Sequence, residues 1–577
     1  MSELIHPGQP RQCVQARLPD GRLLEAPPGT PLGEILRAAA RPGDPLEVAA
    51  VVDHKLRELT LPLTRDSDVR PVTVRTTDGT RIYRRSLIFL MVSAAKDVFP
   101  EAEIFVEHAA ATAGAYFCEV RGRAPFSQAE LRQIEDRMQA LVREDRPFVK
   151  RQAPVAEAIA LFQARGEDDK ARLLGHRQKD TLVLYSMNGH QDYLQGYMTP
   201  STGYLGTFAL HAFPPGFLLQ FPHQDNPDDL TPNSPYPKLF TVFEEYSDWL
   251  NRLGIRGAGA LNDAIAAGRL PEISLVAEAL HEGRLARIAA DIAAQHARVK
   301  VVLVAGPSSS GKTTFAKRLA IQLLANGLHP FPLALDDYFV DRDLTPRDTQ
   351  GQYDYETIQA LDVTLLNDHL VALMAGQAVA LPHYNFLTGL REPGRTVSLG
   401  PNDVVILEGI HGLNPALVPC VPAENVYRVY VSALTQLNLD RHNRVSTTDT
   451  RLIRRIVRDA ATRGYSAADT LARWESVKRG EKKYIFPYQE NSDAIFNSAL
   501  VHELAVLRPL AEPLLLQVRH DTPQFIEANR LLSFLQWFRP AEAAAVPDNS
   551  ILQEFINPTG GVLAQFNWGV PLSQNHS

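Results

Sequence analysis

One segment restricts the fold of this chain more than any other: Gly306-Pro307-Ser308-Ser309-Ser310-Gly311-Lys312-Thr313. It matches the pattern GxxxxGK[ST], in which glycines let backbone N–H groups turn inward around phosphates. The segment follows an all-apolar run, Val301 to Ala305, and precedes a run of helical spacing from Lys312 to Leu324. A strand, a phosphate loop and a helix in this order predict a nucleotide-binding α/β domain.

The residue types in this loop, here called the P-loop, indicate how phosphates would be held. Lys312 supplies a positive charge for the β- and γ-phosphates, and Thr313 offers a hydroxyl to Mg²⁺. The helix that starts there presents its positive end to the same anion, and Thr314 lies in its first turn. We therefore predict that residues 306–314 bind ATP and that Mg²⁺ accompanies it.

Carboxylates follow two other apolar, strand-like runs. Asp336 and Asp337 come directly after Leu333 to Leu335, and Glu408 comes directly after Val404 to Leu407. In an open parallel sheet, ligands gather beyond the carboxyl ends of the strands, so both acids should face the phosphates. We predict Asp336 as the general base and as a metal neighbour, and Glu408 as a ligand of the metal shell.

A predicted helix further along the chain is dense in arginine. From Thr450 to Asp459 the arginines recur at helical spacing on one side; they are Arg451, Arg454, Arg455 and Arg458. One interpretation is a solvated basic face paired with nearby acids. The other is a lid whose arginines clamp the transferring phosphate, with Arg455 and Arg458 as catalytic residues.

Composition sets limits on the rest. The chain has 577 residues and a formal net charge of −7, which predicts several domains and disfavours nucleic acid as the main partner. Cys13, Cys118 and Cys420 lack metal-ligand spacing, which favours reduced thiols in the cytoplasm. No run of about 18 apolar residues occurs, so we expect no membrane span. Met1 to Pro10 shows no signal-peptide pattern, and a homo-oligomer stays open.

Patterning along the chain predicts five parts. They are a small α/β unit at 1–78, a second α/β unit at 79–222, a linker and helical connector at 223–298, the nucleotide-binding domain at 299–540, and a polar tail at 541–577. Within the second unit, Ser127 to Glu144 has the spacing of an amphipathic helix. After Phe555 the chain is polar and glycine-containing, so we expect it to lack fixed structure.

These motifs, in this order, resemble the uridine kinase/phosphoribulokinase family of P-loop kinases over roughly 299–516. The motifs are Gly306 to Thr314, Leu335 to Phe339, Tyr353 to Tyr355, Leu381 to Phe386, Val405 to Ile410, and Arg454 to Asp459 before Arg463-Gly464. The resemblance implies transfer of the ATP γ-phosphate to a small-molecule hydroxyl, most simply that of a nucleoside. It places Asp336 at the family's catalytic aspartate and adds Arg463 to the lid.

The same resemblance assigns the acceptor side. Asp354 falls on an acid that holds sugar hydroxyls, Tyr384 falls on an aromatic residue near the base, and Arg391 is taken as a further substrate residue. Three base-reading positions depart from the family: they are Gly389, Tyr465 and Arg473. Because a pocket that loses a polar partner loses discrimination, we expect an acceptor other than uridine, either another nucleoside or a sugar-like alcohol.

The N-terminal half resembles the front of threonyl-tRNA synthetases. Residues 12–75 look like a small ubiquitin-like TGS domain and residues 80–220 like an α+β editing domain, through Tyr83-Arg84-Arg85-Ser86 and Pro200-Ser201-Thr202-Gly203. The positions of the family's metal ligands are here Arg85, Phe89, Leu194 and Met198. Apolar side chains do not coordinate Zn²⁺, so we expect no metallohydrolase, with His108, His190 and His211 structural.

Three functions follow as hypotheses. The first is an ATP- and Mg²⁺-dependent small-molecule kinase, which the acceptor-side Asp354 and Tyr384 favour. The second is a nucleotide-gated regulator that binds tRNA or the ribosome through the synthetase-like half. The third is an ATPase coupled to a conformational change.

Overall fold

The computed structural model describes residues 12–566, apart from 111–113, 228–229, 231–236, 348–350, 352, 386 and 436. Met1 to Pro10, part of the connector, Phe386 of the fourth motif and the tail beyond 566 lie outside this range, so the expectations for them stay predictions. No helix within the described ranges is long and apolar enough to cross a bilayer.

The first unit is a five-stranded mixed sheet carrying one helix, Leu32–Ala39. The strands, in sheet order, are Leu23–Ala26, Val14–Arg17, Ser67–Thr73, Glu47–Val52 and Lys55–Glu58. Alternate residues of Val14–Arg17 point into the sheet–helix core, which is the period-2 pattern of a half-buried strand. Asp20-Gly21 lies in the turn between the first two strands, with Gly21 at φ +83°.

The second unit packs helices on two antiparallel sheets. One sheet orders Ala209–Phe213, Gly216–Gln220, Ala115–Arg121 and Glu103–Ala110; the other orders Val149–Pro154, Thr181–Met187 and His190–Asp192. The helices are Thr77–Val98, Gln128–Arg143, Val155–Ala164 and Asp168–Gly175. Gln128–Arg143 begins at a complete capping box, in which Ser127 and Glu130 satisfy each other's backbone N–H groups.

The α/β class and parallel sheet predicted for the P-loop unit are confirmed. Five parallel strands run in the order His329–Ala334, Asp403–Glu408, Val301–Ala305, Val426–Ser432 and Ala494–Asn497. A separate antiparallel pair is formed by Val379–Asn385 and Leu390–Val397. The helices of this unit are Lys312–Ala325, Val363–Met374, Thr447–Arg463, Ala467–Tyr484, Glu503–Leu516 and Gln524–Leu535.

The described part of the predicted connector is mainly helical. Its three helices are Pro237–Leu253, Ala258–Ala266 and Leu270–Ala294. Their apolar faces pack in the same core as the P-loop sheet, and this core also takes in Ala153, Phe162 and Tyr193 of the second unit. The two halves of the chain are therefore joined through one continuous apolar core.

The end of the described chain corrects the expectation of an unstructured tail. Residues 541–566, here called the C-terminal segment, contain the short helices Gln553–Ile556 and Val562–Gln565. Ile551 and Phe555 are fully buried, and after Phe555, where no fixed structure was expected, Leu563 is also buried. Local polarity misled the prediction, because the few apolar residues of this segment find partners on a distant part of the fold rather than on each other.

Candidate active site

The backbone of the P-loop has left-handed turns and a close approach to a neighbouring strand. Ser309 and Gly311 adopt left-handed φ angles of +57° and +83°. A Cβ atom on Gly306 would lie 1.9 Å from the carbonyl oxygen of Val431, so only glycine fits beside the neighbouring strand. The loop therefore turns tightly between the strand Val301–Ala305 and the helix Lys312–Ala325, as the motif predicts.

Thr313 and Glu408 meet at the edge of the parallel sheet. Glu408 ends its strand in register with Val304 of the P-loop strand, and the Thr313 hydroxyl donates to Glu408 Oε2 at 3.0 Å. Burial raises the pKa of Glu408, Glu554 and Asp336 raise it further, and Lys312 opposes them. Mg²⁺ prefers oxygen ligands, and phosphate and water oxygens usually complete its shell. The Thr313 hydroxyl and the carboxylates of Glu408 and Asp336 therefore fit this metal.

Lys312 lies at the centre of the site's charges. Its ammonium donates to the Pro307 carbonyl at 3.2 Å, across the mouth of the loop. Desolvation lowers the pKa of Lys312, while Glu408, Glu554 and Glu481 raise it. The Lys312 ammonium thus interacts electrostatically with the acids around the P-loop.

Asp336 lies in the short 3₁₀ turn Leu335–Tyr338, directly after the strand His329–Ala334. Asp336 is exposed to solvent, but desolvation by the surrounding protein raises the pKa of its carboxyl; Lys312 and Arg463 oppose the rise, and Asp337 adds to it. The carboxyl end of the strand thus places this acid within electrostatic reach of the P-loop lysine. A raised pKa brings a carboxylate nearer to the range of an effective general base.

Three predicted lid arginines gather on one acid that was not singled out from the sequence. Arg455, Arg458 and Arg463 contact Asp459 at 3.2, 3.1 and 3.3 Å. Arg455 also donates to the Ser308 hydroxyl of the P-loop at 2.7 Å. The spacing of four residues from Arg455 and from Arg463 to Asp459 is a helical ion-pair signal that was present in the sequence. These arginines are held at the phosphate loop.

Arg451 and Arg454 have a different position, and the lid interpretation is wrong for them. Both are buried: Arg451 pairs with Glu481 at 2.5 and 2.8 Å, and Arg454 pairs with Glu503 at 2.6 Å. Arg451 also donates to the Ser308 carbonyl at 3.1 Å. The helix Thr447–Arg463 is covered by neighbouring helices on this face, so these two arginines brace the P-loop from behind.

Two carboxylates from distant parts of the chain occupy donors of the P-loop region. Glu481 Oε1 accepts the Ser308 backbone N–H at 2.9 Å. Glu554, in the C-terminal segment, accepts the Thr314 hydroxyl at 2.9 Å and lies 3.9 Å from Arg458. Neither acid has a local sequence signal, because each is more than 150 residues from its partner in the loop.

The acceptor-side predictions fall on a second cluster. Tyr384 is buried and packs edge-on against Phe339, with ring centroids 5.5 Å apart. Asp354 accepts the Glu356 backbone N–H at 3.1 Å, and burial raises the pKa of Glu356 to about 7. Arg391 pairs with Asp362 at 2.7 Å and makes no described contact with the P-loop.

Gly389, one of the departures, is filled by another residue. A Cβ atom there would lie 2.7 Å from the Arg342 guanidinium. The backbone N–H of Arg342 also donates to the Gly389 carbonyl at 2.8 Å. The other two departures contact each other, since the Arg473 guanidinium lies 4.2 Å from the centroid of the Tyr465 ring. The Arg342 side chain thus lies beside Gly389, where the resemblance would place a base-reading side chain.

The N-terminal half lacks metal ligands at the expected positions. Phe89 and Met198 are buried in apolar core, and no group of three His, Cys, Asp or Glu side chains in the described part of the chain could hold a metal. His108 stacks on Phe243 at 4.1 Å, and burial lowers its pKa to about 3. Burial also lowers the pKa of His190 to about 3, and both neutral rings fit structural roles.

Comparison with known families agrees with this geometry. Residues 301–505 match the model of the phosphoribulokinase/uridine kinase family. This region is a phosphoribulokinase/uridine kinase family domain. The match covers just over a third of the chain and includes the P-loop, Asp336, Glu408 and the arginine helix.

The N-terminal half is similar to threonine–tRNA ligases. It is 30% identical over 197 residues to the ligase of Geobacter sp. (strain M21) and 32% identical over 201 residues to that of Burkholderia lata. In each case 34% of this chain matches 31% of the ligase, so the chain spans about a third of these relatives. Among solved structures, a D-glycerate 3-kinase from Cryptococcus neoformans is 16% identical over 46% of this chain and 89% of its own, with a TM-score of 0.20, too low to support any statement about the acceptor.

Proposed function

We propose that this protein is an ATP- and Mg²⁺-dependent kinase that transfers the γ-phosphate to a hydroxyl of a small molecule, with a nucleoside as the first candidate. The observation that carries the proposal is the convergence of Lys312, the Thr313–Glu408 pair and Asp336 at one edge of the parallel sheet. A phosphate site alone would serve many nucleotide-binding proteins. An acid with a raised pKa beside it supplies the acceptor half of the reaction.

The proposed roles follow from the contacts. Backbone N–H groups of the P-loop and the Lys312 ammonium hold the β- and γ-phosphates, with the positive end of the helix Lys312–Ala325 behind them. Thr313 and Glu408 would hold Mg²⁺, which when bound neutralises charge on the phosphate oxygens. Arg455 and Arg458, held on Asp459 beside the loop, offset negative charge on the transferring group.

The chemical step balances within these groups. The acceptor oxygen forms a bond to the γ-phosphorus while the bond from that phosphorus to the bridging oxygen breaks, so ADP departs with the bonding electron pair. The acceptor hydroxyl proton passes to the Asp336 carboxylate. Its raised pKa makes the carboxylate a better proton acceptor than an ordinary aspartate.

The acceptor cluster supports a polar, hydroxyl-bearing substrate. Asp354 offers a carboxylate to hydroxyls, and Tyr384 with Phe339 forms an aromatic wall. Arg342, beside Gly389, adds a cation to this region. This arrangement favours a nucleoside or sugar-like alcohol other than uridine, because the family's base-reading positions have changed.

The decisive experiment is ATP turnover with a panel of nucleosides and polyols, with the products identified by mass spectrometry. Lys312→Ala should abolish transfer, whereas Asp336→Asn should lose transfer and still bind ATP. Asp343→Asn, a change at an exposed acid in the neighbouring 3₁₀ turn Arg342–Leu344, is the matched control and should keep transfer. Unchanged transfer in Asp336→Asn would remove its role as the base.

Other outcomes separate the alternatives. ATP hydrolysis without a phosphorylated product from any panel member would support the coupled ATPase. Nucleotide-dependent tRNA or ribosome binding without transfer would support the regulator. Uridine as the best acceptor by kcat/KM would contradict the specificity argument while leaving the kinase proposal intact.

A further inference from the structure

A large cavity lies between the N-terminal half and the kinase-family domain. Its volume is about 840 Å³, within the range of small-molecule sites. The walls come from the helix Thr77–Val98, residues 194–197, residues 442–449 and the helix Gln524–Leu535. Among the described lining residues, Pro307 of the P-loop and Arg451, which contacts the loop, connect it with the proposed active site.

The charges of this cavity are strongly one-sided, although the whole chain is acidic. Two carboxylates line it, Asp78 and Asp449, against nine basic side chains. The basic residues are Lys55, Arg57, Arg81, Arg84, Arg85, Arg444, Arg451, Lys478 and Arg530. A cavity lined by one sign of charge concentrates ligands of the opposite sign.

Carboxylates neutralise only some of these cations. Arg530 pairs with Asp449 and Glu527, and Arg81 pairs with Glu527 and Asp78. Arg451 and Lys478 have partners outside the cavity, in Glu481 and Glu475. Among the described residues, no carboxylate lies at ion-pair distance from the other five, which are Lys55, Arg57, Arg84, Arg85 and Arg444.

Three of these five cations, all arginines, are held in place by groups that carry no formal charge. Arg84 lies over the Phe221 ring at 4.0 Å and Arg444 over the Tyr116 ring at 4.8 Å. Arg85 donates to the Tyr197 carbonyl at 2.5 Å. The Nε atoms of Arg84 and Arg444 are buried without a hydrogen-bond partner in the described structure. In the described structure these three arginines thus have ring or carbonyl partners but no ion pair.

The chain makes room for Arg85 at a specific position. Gly196, at φ +118°, would place a Cβ atom 2.7 Å from the Arg85 guanidinium. Arg85 itself stands at one of the positions where the synthetase resemblance puts a metal ligand, and Leu194 stands at another.

Holding these cations together carries a cost. Desolvation lowers the pKa of Arg84, and repulsion from Arg444 and Arg81 adds to this effect. Desolvation likewise lowers the pKa of Arg85 to about 10. These arginines are half-buried, so a cluster without ion pairs to the protein's own acids is suited to a ligand that brings negative charge.

The remaining walls add aromatic surface. Tyr116, Tyr197, Phe243 and Phe525 line the same cavity, together with the amides of Asn443 and Asn529. Guanidinium groups match phosphate oxygens through paired N–H donors, and aromatic side chains stack on planar rings. We infer that this cavity is a binding site for a small phosphorylated nucleoside, with its phosphate on Arg84, Arg85 and Arg444 and its base against the aromatic walls.

The inference is tested with AMP as the probe and the full chain. AMP is titrated calorimetrically while saturating Mg²⁺ and AMP-PNP fill the P-loop. One AMP should bind per chain, and Arg84→Gln, Arg85→Gln or Arg444→Gln should each weaken it at least tenfold. Adenosine should bind at least tenfold more weakly than AMP, because it lacks the phosphate. Lys312→Ala should leave AMP binding unchanged, which separates this site from the P-loop.

Matched controls keep the outcome clear. Arg151→Gln, at an exposed arginine paired with Glu157 away from the cavity, should bind AMP like the wild type. Thermal melting checks the fold: AMP should raise the Tm of the wild type and not that of the Arg84 and Arg444 variants. If a glutamine variant fails to fold, Arg84→Lys keeps the charge, loses the paired donors and should still weaken AMP.

Four results would overturn the inference. They are no AMP binding up to 10 mM, equal binding of adenosine, binding unaffected by the three arginine variants but lost in Asp354→Ala, and binding of a short single-stranded RNA in place of AMP. The kinase proposal would survive each of them, because it rests on the P-loop and Asp336.

Discussion

Replacing Arg454 with methionine should lower the free energy of unfolding far more than replacing its neighbour Arg455 with alanine. Arg454 is fully buried, and its partner Glu503 is 2% exposed. Methionine would fill much of the space but leave the Glu503 carboxyl buried without its cation. Removing one partner of a buried ion pair costs about 3–5 kcal/mol. Part of that cost is relieved if Glu503 takes a proton, since burial already raises its pKa.

Arg455 leaves no such stranded charge when it is removed. Its partner Asp459 keeps Arg458 and Arg463, so the expected loss of stability is below about 1 kcal/mol. Arg455 is instead in contact with the P-loop through the Ser308 hydroxyl. Loss of a donor that stabilises transition-state charge costs about 10²- to 10³-fold in rate. The two adjacent arginines should therefore separate stability from turnover.

The assay combines urea unfolding followed by tryptophan fluorescence with steady-state ADP release. The double change Arg454→Met with Glu503→Leu should recover most of the lost stability, because both charges are then absent. The reasoning fails if Arg454→Met unfolds within 1 kcal/mol of the wild type, or if Arg455→Ala loses more stability than Arg454→Met.

Three further predictions concern other acids and cations. Glu554→Gln should tighten ATP binding at least several-fold in calorimetry, because a carboxylate on Thr314 repels an incoming phosphate; weaker binding would instead assign Glu554 to the metal shell. Lys170→Met should lower the free energy of unfolding by about 3–5 kcal/mol in urea, because Asp192, whose two oxygens accept from the Lys170 ammonium at 2.6 Å, would lose this buried cation and keep only His442 and the Tyr193 backbone N–H among the described residues; a change below 1 kcal/mol would argue against this. The pKa of Glu356 is about 7 in the folded protein against 4.5 in the unfolded chain, so its contribution to the free energy of unfolding is present below pH 4.5 and is lost as pH rises through 7. Glu356→Gln should therefore lose less stability than the wild type between pH 4.5 and 7 in urea unfolding. Identical pH profiles of the two proteins would contradict the shift.

The sequence predicted the parts of the site that depend on local pattern. The apolar run Val301 to Ala305 and the P-loop glycines define one strand–loop–helix unit, and apolar runs ending in Asp336 and Glu408 place two acids at its carboxyl edge. These features depend on neighbours in the chain, so periodicity and motif spacing suffice to predict them.

The contacts that sequence reasoning missed join distant segments. Helical spacing put Arg451, Arg454 and Arg455 on one side of a helix. Only Arg451 and Arg454 are buried, because Glu481 and Glu503 reach them from other helices. The chain after Phe555 was expected to lack structure for the same reason. Its Ile556 and Phe566 have few apolar neighbours in the sequence and pack against the core only on the assembled fold.

The contact between the C-terminal segment and the P-loop also has a consequence for synthesis on the ribosome. Ile551 lies against Gly311, and the Lys317 ammonium donates to the Leu563 carbonyl at 2.8 Å, so the loop gains these neighbours only after residues 551–563 have been synthesised. Domains generally fold as they emerge, N-terminal first. The synthetase-like half can therefore fold before the surroundings of the phosphate site are complete. A nascent or prematurely terminated chain would carry the P-loop sequence without its finished surroundings.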